Sequence, residues 1–159
     1  LLERALFHLQ TIEEAESLSC FVANCFPKPA FVLPAIAELI LNAIEHGNCQ
    51  LSYEDKSRLV ADGTWKEEVR NRVKSQDYKK KKVEVIFIRE DSKYSVKITD
   101  QGSGFDWQKY LSIDPARALD NHGRGIARAN MVFDTLTYNK IGNQVVGMID
   151  NLEEDNFEW

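Results

Sequence analysis

An α+β two-layer sandwich, with a mostly antiparallel mixed sheet and helices on one face, is predicted by three features of this sequence. Residues 83–89 and 94–99 alternate apolar with polar side chains and are joined by Glu90-Asp91-Ser92-Lys93, the pattern of a β-hairpin. Residues 135–139 and 144–150 make a second such pair around Lys140-Ile141-Gly142-Asn143. The stretches before and between the hairpins carry helical patterns. Hairpin-joined strands pair antiparallel, which leaves the helices to form a second layer.

The elements follow in order. Residues 3–10 alternate, with Ala5, Phe7 and Leu9 on one side, and predict a first strand. Thr11 followed by Glu14 is a capping box, so a helix should run to about Cys25, burying Ala15, Leu18, Phe21 and Val22. Pro27-Lys28-Pro29 ends it. An apolar helix from about Val32 to His46 comes next, closed by Gly47 in the left-handed conformation that glycine tolerates. Residues 51–82 read as a charged helical hairpin inserted before the sheet. Its first helix opens at Ser52-Tyr53-Glu54-Asp55 and stops at Gly63, and its second opens with a Thr64–Glu67 capping box. Few apolar anchors mark it, so a surface decoration is favoured over a contact surface for a partner or second subunit. Residues 107–121 are polar and irregular, with a short helix around Ala116 to Leu119; residues 125–133 are helical, and residues 152–159 form an acidic tail.

With 159 residues the chain is one domain with a sizeable core. Its net charge of −5 argues against a nucleic-acid-binding surface. No stretch approaches the length of a transmembrane helix, and no signal peptide is present. Three irregularly spaced cysteines, Cys20, Cys25 and Cys49, suit a reducing cytoplasm. His46-x-x-Cys49 lacks a second ligand pair and is not read as a zinc site. The chain opens on Leu1 without Met, as an excised piece of a longer protein would.

Three motifs carry chemistry. Glu38, Asn42 and His46 stand at i, i+4 and i+8 on the otherwise apolar helix, and so share a face. Asp100-Gln101-Gly102-Ser103-Gly104-Phe105 follows a strand directly, and His122-Gly123-Arg124-Gly125-Ile126 opens a helix. In that order they resemble the GHKL, or Bergerat, ATP-binding fold of type II topoisomerases, certain chaperones, mismatch-repair ATPases, histidine kinases and bacterial anti-sigma kinases. The resemblance spans residues 38–126. The form Glu-x-x-x-Asn-Ala-x-x-His-Gly is similar to the anti-sigma factor serine/threonine kinase subgroup.

The resemblance implies roles. Glu38 is the general base that activates the attacking hydroxyl or water. Asn42 is an oxygen ligand of Mg²⁺, an ion that takes the rest of its shell from water and phosphate. His46 either bonds a backbone carbonyl or touches nucleotide. Asp100 accepts from the adenine amino group, Gly102, Gly104 and Phe105 shape the turn at the base, and Ala43 and Ile126 line the adenine pocket. Gly123, Arg124 and Gly125 hold phosphates at a helix start, with Arg124 as a neighbouring charge or a surface residue. Residues 107–121 lie where the family has its ATP lid. Two departures stand out: Gly142-Asn143 replaces the Gly-Thr of many relatives, and compact anti-sigma kinases lack so long an insertion.

The function implied is an Mg-ATP-dependent serine/threonine protein kinase of the anti-sigma type, cytoplasmic, without nucleic-acid or membrane partners. It would phosphorylate a small antagonist protein and bind a sigma factor or other regulator, with a homodimer open. The alternatives are the ATP-binding domain of a histidine kinase and a nucleotide-gated protein-binding module. Chaperone and topoisomerase readings fail on size.

Overall fold

The computed structural model describes residues 2–112 and 124–151. Five strands form one sheet: β1 (Arg4–Leu9), β2 (Val83–Glu90), β3 (Lys93–Thr99), β4 (Thr135–Tyr138) and β5 (Gln144–Asp150). Their order is β1-β2-β3-β5-β4, and every neighbouring pair is antiparallel. The mixed sheet expected from the sequence is thus antiparallel throughout, because hairpins and their neighbours supply all the pairings described.

The helices are α1 (Ile12–Ala23), α2 (Pro29–Asn42), α3 (Tyr53–Ala61), α4 (Trp65–Lys74) and α5 (Gly125–Val132). Alternate sheet residues Val83, Val85, Phe87, Tyr94, Val96 and Ile98 are buried in one core with helix residues such as Val22, Val32, Ile36, Leu39, Ile40 and Ala129. Phe26, just after α1, is a hub whose ring lies 5.6 Å from Phe87 and 6.3 Å from Phe133. The Thr11 capping box forms as expected. Phe21, expected inside, is 51% exposed, its ring meeting Phe7 edge-on at 5.6 Å, while Val22 is buried as expected. Thr64 makes no side-chain cap bond, its ψ of 3° lying outside the extended range that aims a cap oxygen at the helix. Ser52 does cap α3, accepting from Asp55 N at 3.0 Å.

The motif helix departs most from expectation. It starts earlier, because Pro29 at the first position has no N–H needing a partner. It also does not stop at Gly47: residues Ala43–Asn48 continue as a π-helical turn, with Cys49 N bonded to Ile44 O at 2.9 Å. The left-handed residue lies beyond it, at Gln50 with φ 53°. The continuous Pro29–Asn48 helix is, by length and composition, apolar enough to cross a membrane, which corrects the expectation that no stretch approaches that length. Here the apolarity serves the core: Val32, Ile36, Leu39 and Ile40 are buried against the sheet and neighbouring helices.

The π turn carries Glu45 inward, to 1% exposure. Its carboxylate pairs with Lys56 of α3, accepts from Trp65 Nε1 of α4 at 2.9 Å, and lies 3.2 Å from His46 Nε2 without hydrogen-bond geometry. Burial pushes the Glu45 carboxyl upward most strongly, but His46 and Lys56 together hold it below its ordinary value. Its stabilising contribution is therefore present above about pH 4.5 and lost as the pH falls. Arg72 of α4 adds bonds to Cys49 O and Gln50 O at 3.1 and 3.3 Å, and Val69 is fully buried. The inserted hairpin, in whose two helices Val69 is the one buried residue described, is thus a largely exposed layer tied to the domain through these groups. Glu45→Ala strands Lys56 without its partner and will cost about 3 kcal/mol in urea unfolding; a loss under about 0.5 kcal/mol would mean that the pair is solvated in solution.

Candidate functional site

The sheet, the motif helix and the ends of two loops enclose a cavity of about 200 Å³. Its apolar walls come from Leu39 and Ala43 of the motif helix, Ile98 of β3, Ile126 of α5 and Val145 of β5. All are buried residues that the core holds rigid. Such a slot, apolar with a few placed polar groups, suits a flat heterocycle.

Asp100 lies where β3 ends and is the carboxylate that lines this cavity among the described residues. Its backbone is pinned on both sides, with Asp100 N donating to Asn143 O at 2.9 Å and Asn143 Nδ2 donating to Asp100 O at 3.2 Å. Oδ1 accepts from Gly102 N at 2.7 Å. Burial dominates its electrostatics and lifts its pKa from 3.8 to about 6, although the Gly102 N–H pulls the other way. The loop is tied to the motif helix as well: Gln101 N donates to Asn48 Oδ1, a buried side chain, at 2.7 Å.

Gly47 is explained here. A Cβ on it would overlap the Asp100 carboxyl, so glycine at this point serves a close approach and not a left-handed turn. Gly102 packs against the Gly47 carbonyl in the same way. Gly104 lines the cavity in a left-handed turn with φ 80°, set against Ile141 O, and Phe105 N donates to that oxygen at 2.9 Å.

Asn42, Ala43, His46, Asp100, Gly104, Phe105 and Ile126 all line the cavity, so most residues singled out in sequence meet in one place. Asn42 Nδ2 is buried with no hydrogen-bond partner among the described residues. An orphaned buried amide costs stability unless a ligand completes it. His46 Nδ1 donates to Leu51 O, the backbone bond that was one of its two readings, and its ring also lines the cavity.

Glu38 stands outside the cavity lining, half-buried and one turn before Asn42. A Cβ on Gly125 would overlap its carboxyl, so the first residue of α5 and this carboxylate are in contact distance. Arg124, beside them, has a buried Nε with no partner among the described residues. Glu38, Arg124 and Gly125 thus form a second, polar cluster adjoining the slot. Gly123 and the expected short helix at 116–119 lie outside the described residues, as does the acidic tail.

Several lining residues escaped the sequence. Tyr53 comes from the inserted hairpin and Tyr138 from β4. Burial drives the Tyr138 phenol well above its ordinary pKa, so it stays neutral. Asn143, already set apart in the sequence, lines the cavity too and supports Asp100 through the bonds above.

These residues fit an adenine nucleotide. The slot has apolar faces for a base, one carboxylate able to accept from an exocyclic amine, and the Asn42 amide, which has no partner among the described residues. The donor set also fits Mg²⁺ in one respect, since the Asn42 carboxamide offers a hard oxygen to an ion otherwise held by phosphates and water. Residues 30–148, most of the chain, match the histidine kinase-like ATPase domain. No curated protein matches the chain.

Proposed function

The chain belongs to the histidine kinase-like ATPase domain family, and from that membership we propose that it is an ATP-dependent serine/threonine protein kinase of the anti-sigma regulator type. The observation that carries the proposal is the contact between Glu38 and the start of α5 at Gly125, beside an Arg124 Nε with no partner among the described residues. In this reading the base lies in the slot against Ala43 and Ile126, with its amino group on Asp100. The phosphates then extend past Asn42 toward Arg124 and the free N–H groups that open α5.

At that end Glu38 accepts the proton of a serine hydroxyl as its oxygen bonds to the γ-phosphorus and the bond to the bridging oxygen breaks, releasing ADP. Mg²⁺, held by Asn42 Oδ1 and the phosphates, would offset the charge that develops. Arg124 supplies a fixed positive charge beside the transferred group. The protein acceptor, a small antagonist, and a sigma factor or similar regulator as partner belong to the same proposal, as do a homodimer and a cytoplasmic setting.

The test is transfer from γ-labelled ATP to candidate antagonist proteins, followed by acid treatment of the product. A phosphoserine or phosphothreonine ester survives acid, and that is the expected result. An acid-labile product would identify a phosphoramidate on histidine and overturn the serine reading in favour of a histidine-kinase domain. Nucleotide bound with no transfer to any acceptor would leave a nucleotide-gated binding module.

A further inference from the structure

The inserted hairpin contributes a ring to the cavity, and that ring has neighbours on both faces. Tyr53, the first residue of α3, stacks on His46 with centroids 4.2 Å apart and planes inclined by 24°. On its other side Tyr110 stacks at 5.2 Å and 15°. Tyr110 ends a short 3-10 turn, Trp107–Tyr110, that follows directly from the Gly104-Phe105 corner of the cavity. The turn has a second aromatic hold, Trp107 on Tyr138 at 5.5 Å and 16°. Phe105 bridges the two holds, 5.7 Å from Tyr110 and 5.6 Å from Tyr138.

Tyr53 is itself held firmly. Ser52 caps the helix that carries it, and Lys56, less than one turn on, pairs with buried Glu45 and lies 5.6 Å from the Trp65 ring. A rigidly supported aromatic side chain loses little freedom when a second ring docks on it, which makes it a good seat. The strap that leaves the Gly104-Phe105 corner of the cavity therefore rests on two platforms. One, Tyr138, belongs to the sheet, and the other, Tyr53, belongs to the insertion.

We propose that Tyr53 is a positioning residue of the nucleotide site, seating the Trp107–Tyr110 strap on the motif helix so that bound nucleotide leaves slowly. The inference rests on the nucleotide-site reading above. A base in the slot is bounded by Gly104 and Phe105 at the root of the strap, so a strap held on its platforms holds that wall of the slot in place and slows release. Removing the Tyr53 platform loosens that wall. It leaves the entry contacts at Asp100 and Asn42 intact.

The test is stopped-flow association and displacement of a fluorescent ATP analogue with Mg²⁺, on wild type, Tyr53→Phe, Tyr53→Ala, Tyr110→Ala and Asp100→Asn. Tyr53→Ala should release nucleotide about tenfold faster with the association rate changed less than about twofold, while Tyr53→Phe, which keeps the ring, behaves as wild type. Tyr110→Ala removes the other half of the stack without touching α3, and it should show the same faster release. It decides the matter if Tyr53→Ala fails to fold. Unchanged release in both alanine variants, or an affinity loss carried by association alone, overturns the seat while the site stands, provided Asp100→Asn has lost binding. A wild type that binds no nucleotide, or an Asp100→Asn variant that binds normally, overturns the site reading and this inference together.

Discussion

Asp100→Asn will weaken ATP binding by about a hundredfold or more in calorimetric titration, because a buried site built around one acceptor rejects a partner that cannot match it. In the slot Asp100 Oδ1 already takes the Gly102 N–H. The second oxygen is then the acceptor left for the exocyclic amine, and an amide NH₂ there opposes donor to donor. The same substitution will make the unliganded protein melt higher at pH 7.5. A carboxyl whose folded pKa is raised stabilises the fold when protonated; that contribution is fully present below about 3.8 and is lost as the pH rises through about 6. Asn stays neutral and keeps the Gly102 bond, so it avoids the loss. Lower affinity with higher Tm is the signature. An Asn variant that binds ATP as wild type does would remove Asp100 from base recognition.

Glu38→Gln will leave nucleotide affinity within about threefold of wild type and lower phosphoryl transfer by about 10²- to 10⁴-fold, the range that a positioned general base contributes. Its side chain lies outside the slot lining, so the base contacts survive. Gln also keeps the volume of the carboxyl beside Gly125, which separates chemistry from packing. Quench-flow measurement of the first turnover, with binding measured alongside, tests both halves. Transfer at the wild-type rate would make Glu38 a helix-end packing group and leave the reaction with another proton acceptor.

The fold and much of the slot were legible because the signals are local. Alternation located the strands to within a residue or two, and the hairpin turns set their pairing. Asn42, Ala43, His46, Asp100, Gly104, Phe105 and Ile126 converge because each sits next to a glycine-marked boundary or on one helical face. Glu45 was illegible: in sequence it is one charged residue at a helix end, and only Lys56 and Trp65, 11 and 20 positions on, show why it is inside. Gly47 misled for a related reason. A glycine after an apolar helix signals a left-handed stop, whereas this one makes room for a carboxyl from another motif. Tyr53 and Tyr138 were missed because stacking on residues far along the chain leaves no periodic trace.

The pairing of β3 with β5 has a consequence for how the molecule assembles. Thr99 and Gln144, joined by a 3.1 Å side-chain bond, are 45 residues apart, and the Asp100–Asn143 bonds lie just beyond them. The hairpins β2–β3 and β4–β5 close over short loops, while docking one on the other restricts a long one and is entropically slower. The floor of the slot therefore exists only once the two hairpins have docked. A ligand that binds only the completed slot draws the population toward it by mass action. Nucleotide would in this way stabilise the docked pair of hairpins, and with it the fold as a whole.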